Sequence, residues 1–207
     1  MKHAKTIITC AALMATLTTG FTLQQGPKEE PSAKGQLQGA DLLGRFVNSY
    51  THRAMHKDFK NQSSRTAKAV LDASKKYGFD PLLVLAIIQN ESRFDPQAVG
   101  MHGEIGLMQI KPETGEWIAG KAGIRWTGAH ALQDPVYNIR IASAYLAMLR
   151  DTFGEENHLY LSAYNMGARN VRRLISSKTQ PRVYADKTES YYSRIQAQYP
   201  SETFAKL

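Results

Sequence analysis

The sequence predicts a mainly α-helical α+β domain, and three features carry that prediction. Two Asp-Pro pairs, Asp80-Pro81 and Asp134-Pro135, each open a long apolar run, as an N-cap followed by a first-turn proline does. Gly78, Gly154 and Gly167 stand where helical runs stop, the place just past a helix C-terminus. Strand signal is sparse and confined to residues 100–110, where Gly100, Gly103 and Gly106 suggest a small hairpin or loop beside the apolar helix.

Taken from the N-terminus, Lys2 and Lys5 precede an uncharged stretch over residues 6–23. This pattern predicts a secretory signal over residues 1–23. A retained anchor is the alternative, because a run of about 18 residues sits at the lower limit for crossing a bilayer. Contact with a membrane is expected only through this segment, if it is uncleaved. Cys10, the only cysteine, lies inside it, so the cleaved chain would have no disulfide and no thiolate chemistry. Residues 24–62 read as a linker with a helix in it: 24–39 are polar and aperiodic, whereas Leu42, Phe46, Val47 and Tyr50 fall at helical spacing within 41–59. The folded domain is expected over residues 63–207. Its helices are predicted at 64–77, 81–91, 135–153, 157–165, 169–176 and 188–198, the last stopping before Pro200.

The residue of greatest chemical interest is Glu91, at the end of the run Pro81-Leu-Leu-Val-Leu-Ala-Ile-Ile-Gln-Asn-Glu91. Val84, Ile87 and Ile88 precede it by seven, four and three residues, which puts all four side chains on one helical face. A carboxyl group among aliphatic side chains resists ionising, so its pKa is expected above the ordinary value of about 4.3. A glutamate that holds its proton near neutrality is suited to general acid catalysis. Read alone, it could equally be a residue at a frayed helix end that turns to water.

What surrounds it decides between those readings. Glu91-Ser-Arg-Phe-Asp-Pro96 is followed by Gly106-Leu-Met-Gln-Ile110 and then by Ala163-Tyr-Asn-Met-Gly167. Each motif is weak by itself, but the ordered set resembles the catalytic domain of soluble-type (SLT) lytic transglycosylases, lysozyme-like enzymes that cleave the glycan strands of bacterial peptidoglycan. The resemblance covers about residues 67–195, and it implies a lysozyme-like domain with the small hairpin region beside the catalytic helix.

It also implies roles. Glu91 would be the catalytic acid and base. Met108, Gln109, Tyr164 and Asn165 would line the sugar cleft, Met108 as an apolar wall and Gln109 through its amide. Tyr191 is similar to the tyrosine that in relatives points at the catalytic glutamate, with its neighbour Tyr192 as the alternative. Three positions depart from the family pattern. Gly100 stands where relatives often have a serine that hydrogen-bonds the carboxylate, Glu104 where many have a small residue, and Met166 where a smaller residue is common.

Most glycosidases divide their work between two carboxylates flanking the scissile bond. No convincing second one is legible here. Asp95 reads as satisfying backbone groups at the helix end, and Glu104, better placed, reads as an exposed loop residue. The resemblance implies a route that needs only one, in which the C6 hydroxyl of the substrate's own N-acetylmuramyl sugar attacks the anomeric carbon. The product then ends in 1,6-anhydro-N-acetylmuramic acid. A lysozyme-type muramidase is the hydrolytic alternative, and a non-catalytic glycan-binding or assembly module of an envelope-spanning machine is the alternative from another class.

Composition bounds the partners. With 207 residues and 43% hydrophobic content there is material for one packed domain and little more. The formal charge of +8 falls to +6 when the loss of residues 1–23 removes Lys2 and Lys5. Such a surface attracts anionic polymers in general. The resemblance implies peptidoglycan strands of the periplasm or cell envelope as the partner, with a secretion or conjugation apparatus as a further candidate, and an export signal argues against nucleic acid. The six histidines are scattered and none pairs with Cys, Asp or Glu at ligand spacing, so neither a metal nor a cofactor is expected.

Overall fold

The computed structural model describes residues 33–155 and 158–199. The predicted export signal at 1–23, Cys10 and the first part of the predicted linker lie outside them. The elements run in the order α1 (Ala33–Ala54), a 3-10 turn (Lys57–Gln62), α2 (Ser63–Tyr77), α3 (Pro81–Glu91), α4 (Pro112–Ala122), a second 3-10 turn (Ala129–Gln133), α5 (Pro135–Phe153), α6 (Leu159–Met166), α7 (Ala168–Ser176) and α8 (Val183–Gln196).

Local chemistry sets the boundaries of the central helices. Asp80 Oδ1 accepts the Leu82 N–H at 2.8 Å, and Asp134 Oδ1 accepts the Tyr137 N–H at 2.9 Å, so both Asp-Pro pairs cap as their sequence suggests. Gly78 ends α2 at φ +69°, a left-handed conformation that glycine adopts at no steric cost. Helix α3 differs from the single apolar stripe expected. Leu82, Val84, Leu85, Ala86, Ile87 and Ile88 are all at most 1% exposed, so it is enclosed on nearly every side.

Enclosure comes from α8, α2 and α1, which pack around α3. Helix α1 starts within the stretch read as linker and buries Val47 and Thr51 against the domain, with Met55 buried just past its end. Helix α8 runs antiparallel to α3 and bonds to it at both ends: the Tyr192 hydroxyl donates to Asp80 Oδ2 at 2.6 Å, and Asn90 Nδ2 donates to Thr188 Oγ1 at 3.1 Å. Helix α5 packs on α2, α4 and α6.

The expected hairpin region is present with very little β structure. Among the described residues the pairing consists of single bridges, Val99 with Ile105 and Ile105 with Ile110. Side chains hold this loop instead of a strand ladder. Asn138 of α5, fully buried, accepts the Met108 N–H at 2.8 Å and donates to the Ile105 and Leu132 carbonyls at 2.8 and 2.9 Å. Gly106 (φ +81°) makes room for it, because a Cβ there would collide with the Leu132 carbonyl and Asn138 Nδ2.

Replacing Asn138 by alanine leaves the Met108 N–H and the Ile105 and Leu132 carbonyls without that partner. At about 1 kcal/mol for each net hydrogen bond, Asn138→Ala is expected to lower stability by about 3 kcal/mol. Urea unfolding should show this as a lower midpoint at unchanged slope.

Candidate active site

Glu91 closes α3, and its carboxyl is strongly perturbed. Burial pushes its pKa up to about 7; the nearby Glu104 charge adds to this, while Tyr184 and Lys187 oppose it. Tyr184 donates its hydroxyl to Glu91 Oε1 at 2.5 Å. Burial, then the proximity of Glu91, raises the Tyr184 phenol well above 10, so it remains a donor whichever form Glu91 takes. The Tyr184 carbonyl accepts the Thr188 hydroxyl at 2.9 Å, and Thr188 in turn takes the Asn90 bond, which fixes the tyrosine's place on α8.

The chain turns sharply once it has delivered Glu91. Arg93 and Phe94 both take left-handed conformations, at φ 54° and 63°. Non-glycine residues hold such geometry only where packing enforces it, at about 1–3 kcal/mol each. Phe94 is fully buried, edge-on to Tyr50 of α1 at 5.9 Å between ring centres. Ser92 Oγ donates to the Leu107 carbonyl at 2.8 Å and so ties the turn to the loop at 98–110. Asp95 Oδ1 accepts the Gln97 N–H at 2.9 Å, the backbone-satisfying role its position suggests.

An open depression is lined by Glu104, Gln109, Thr114, Tyr145, Tyr164 and Asn165, among others. Glu91 is not one of its lining residues, but its carboxyl acts electrostatically with two that are, Glu104 and Tyr164. The Tyr164 hydroxyl donates to the Met108 carbonyl at 2.7 Å, so its ring, 5.5 Å from that of Tyr145, is what it offers the depression. Asn165 is exposed at the rim. Gln109, itself left-handed at φ 46°, donates Nε2 to the Ala98 and Gly106 carbonyls at 3.1 and 2.9 Å. Both amide hydrogens are thereby engaged in holding the loop, which leaves Oε1 as the acceptor it can present.

Three expectations need correction. Met108, expected as an apolar cleft wall, has no exposed surface; its side chain is core and only its backbone serves the site. Tyr191, expected to face Glu91, lies under the Arg194 guanidinium at 5.7 Å, and its alternative Tyr192 bonds Asp80; the tyrosine on Glu91 is Tyr184. Glu104, read as exposed, keeps a side chain only 22% accessible. Its Oε2 accepts the His102 N–H at 3.0 Å, and its Oε1 lies 3.6 Å from Lys111 Nζ. Burial raises its pKa, but its own backbone N–H, that of His102, and the charges of Lys111 and His102 outweigh this and hold it below the usual range. Tyr184 escaped sequence reading because α8 begins at Val183, five residues before the expected start. The signal that could have found it is the stripe Tyr184, Thr188 and Ile195, which follows Pro181 at helical spacing.

The site now has a physical definition: a half-buried, protonatable glutamate with a fixed phenol donor, in electrostatic reach of a polar depression that also holds an ionised glutamate. Among the described residues no group of three or more His, Cys, Asp or Glu converges to hold a metal ion.

The same arrangement of elements occurs in known proteins. The chain is 35% identical over 157 residues to the membrane-bound lytic murein transglycosylase C of Shigella sonnei (strain Ss046), covering 70% of this chain and 43% of that relative. It thus spans less than half the length of that relative. In structure it superposes on the lytic transglycosylase Slt of Pseudomonas aeruginosa, solved as an inactive glutamate-to-glutamine mutant, with a TM-score of 0.59 and 26% identity; the match covers 66% of this chain and 25% of that one. It shares its fold with the 70 kDa soluble lytic transglycosylase of Escherichia coli at a TM-score of 0.58, 22% identity, 83% of this chain and 32% of that one. Residues 68–186, more than half of the sequence and the span from α2 through Tyr184, match the Transglycosylase SLT domain, and the chain belongs to that family.

Proposed function

We propose that the protein is a peptidoglycan lytic transglycosylase of the cell envelope. It cleaves the β-1,4 bond from N-acetylmuramic acid to N-acetylglucosamine and leaves 1,6-anhydromuramyl ends. The observation that carries this reading is Glu91, half protonated near pH 7 and hydrogen-bonded to a phenol that cannot take its proton. The mutant Pseudomonas relative, described as inactive after a glutamate-to-glutamine change, supports one indispensable glutamate.

In the first step protonated Glu91 gives its proton to the leaving glycosidic oxygen as the bond to the anomeric carbon breaks. The Tyr184 hydrogen bond stabilises the carboxylate that this creates. In the second step the muramyl C6 hydroxyl bonds to the anomeric carbon and its proton returns to Glu91, so acid and base are one residue. Tethering of the nucleophile to its own sugar supplies the proximity that an enzymic nucleophile would otherwise provide. The depression lined by Gln109, Tyr164 and Asn165 is the proposed seat of the sugars, with Gln109 Oε1 as acceptor and the Tyr164 ring as a flat apolar face. The predicted export signal supports action in the envelope. No helix among the described residues is long and apolar enough to cross a membrane.

Glu104 is the observation that favours a hydrolytic muramidase, since it supplies an ionised second carboxylate. Mass analysis of fragments released from purified peptidoglycan separates the two. Anhydromuramyl ends, one water lighter and resistant to borohydride, are expected; reducible muramyl ends as the main early product would establish the muramidase.

Glu91→Gln keeps the shape of the side chain but cannot deliver a proton, and is expected to lose about 10²–10⁴-fold in turnover while remaining folded. The same variant has a signature in stability. Wild-type Glu91 holds its proton to about pH 7 when folded, whereas unfolding restores the ordinary value of 4.5. Wild-type stability therefore falls as pH rises from 4.5 towards 7, because the unfolded chain binds fewer protons. Glu91→Gln escapes this loss and should melt higher than wild type at pH 8, the gap closing below pH 4.5.

Turnover at saturating substrate should decline as pH rises through about 7, since only protonated Glu91 starts the reaction. A rate still climbing at pH 9 would remove Glu91 from the acid's role.

A further inference from the structure

We propose that Glu104 acts in the reaction as a fixed negative charge, the counter-charge to the cationic sugar that forms once Glu91 has given up its proton. This rests on the transglycosylase reading above and adds a residue to it. Glu104 lies in the depression with Gln109, Tyr164 and Asn165, so its charge is presented to the site of the sugars.

Its seat is built. The Gly100 N–H donates to the Glu104 carbonyl at 2.8 Å, the His102 N–H holds Oε2 at 3.0 Å, and Lys111 Nζ stands 3.6 Å from Oε1. The carboxylate rests over Gly100. A Cβ at residue 100 would fall 2.8 Å from Gln109 Oε1 and closer still to Glu104 Oε2, so both oxygens converge where the glycine leaves space. The His102 N–H and Lys111 thus hold the carboxylate in one orientation at the depression before substrate arrives. A preorganised charge of this kind stabilises a cationic transition state without the cost of reorienting solvent.

The same charge reaches Glu91. The groups that act on Glu91 are Tyr184 and Lys187 from α8, Tyr164 from α6 and Glu104 from the 98–110 loop. Of these, Glu104 is the one whose charge disfavours ionised Glu91. Glu104 thus opposes loss of the proton before the reaction and favours the cation after it. It forms no bond to the sugar, and the muramyl C6 hydroxyl remains the nucleophile.

The test is Glu104→Gln in the full chain with purified glycan strands as substrate. Turnover should fall about 10- to 100-fold with KM nearly unchanged, and the alkaline limb of the pH–rate profile should move to lower pH. Products should keep their anhydromuramyl ends. Glu104→Asp, which retains the charge, should recover part of the rate. Gly100→Ala, which keeps the glutamate but pushes its carboxylate and the Gln109 amide oxygen aside, should lose rate as Glu104→Gln does. A folded Glu104→Gln with wild-type turnover and an unmoved alkaline limb overturns the proposal, and so does a Gly100→Ala variant of full activity. Retained activity in Glu91→Gln would instead overturn the underlying reading, so the two failures are distinguishable.

Discussion

Everything chemical in this protein hangs on a loop that has almost no secondary structure of its own, and Asn138 is what makes that loop rigid. From its buried place on α5 the one amide pairs with Ile105, Met108 and Leu132. Ser92 takes the Leu107 carbonyl and Tyr164 takes that of Met108, so α3, α5 and α6 each hold the same few residues. Buried backbone groups must be paired, and where no strand partner exists side chains have to supply the pairing. A loop fixed in this way can carry Gln109 in a left-handed conformation and Glu104 over Gly100.

The second constraint is the enclosure of α3. An apolar helix packed on nearly every side brings its terminal carboxyl into the interior, and that burial raises the pKa of Glu91. The arrangement costs stability above pH 4.5, and the left-handed Arg93 and Phe94 add to the cost. The antiparallel bonding of α3 to α8 through Asp80, Asn90 and Glu91 offsets part of it, and also gives Tyr184 its aim.

Much of this was legible in the sequence where a local rule acts alone. The Asp-Pro caps located the starts of α3 and α5, and Gly78 and Gly154 the ends of α2 and α5, because capping depends on few residues. Helix α4 was invisible. Gly115 and Gly120 interrupt its pattern, and Gly115 is there for a tertiary reason, since a Cβ would meet the Trp126 ring at 2.9 Å. Met108 was misread because a motif names a residue without saying whether its side chain or its backbone serves the site. Tyr184 was missed for want of one helix turn at the start of α8, an error that shifts which tyrosine reaches α3. The polar seat of Glu104 depends on folding of the loop and had no linear signal beyond the glycine.

Gly100 and Glu104 bear on how such a site can change over generations. Relatives in the family pattern often have a serine at the first position and a small residue at the second. In this fold the side chain of one and the carboxylate of the other claim the same volume, so the two departures amount to a single exchange. A side chain gained at position 100 would push the Glu104 carboxylate from its place, so what occupies one position governs what the other can hold.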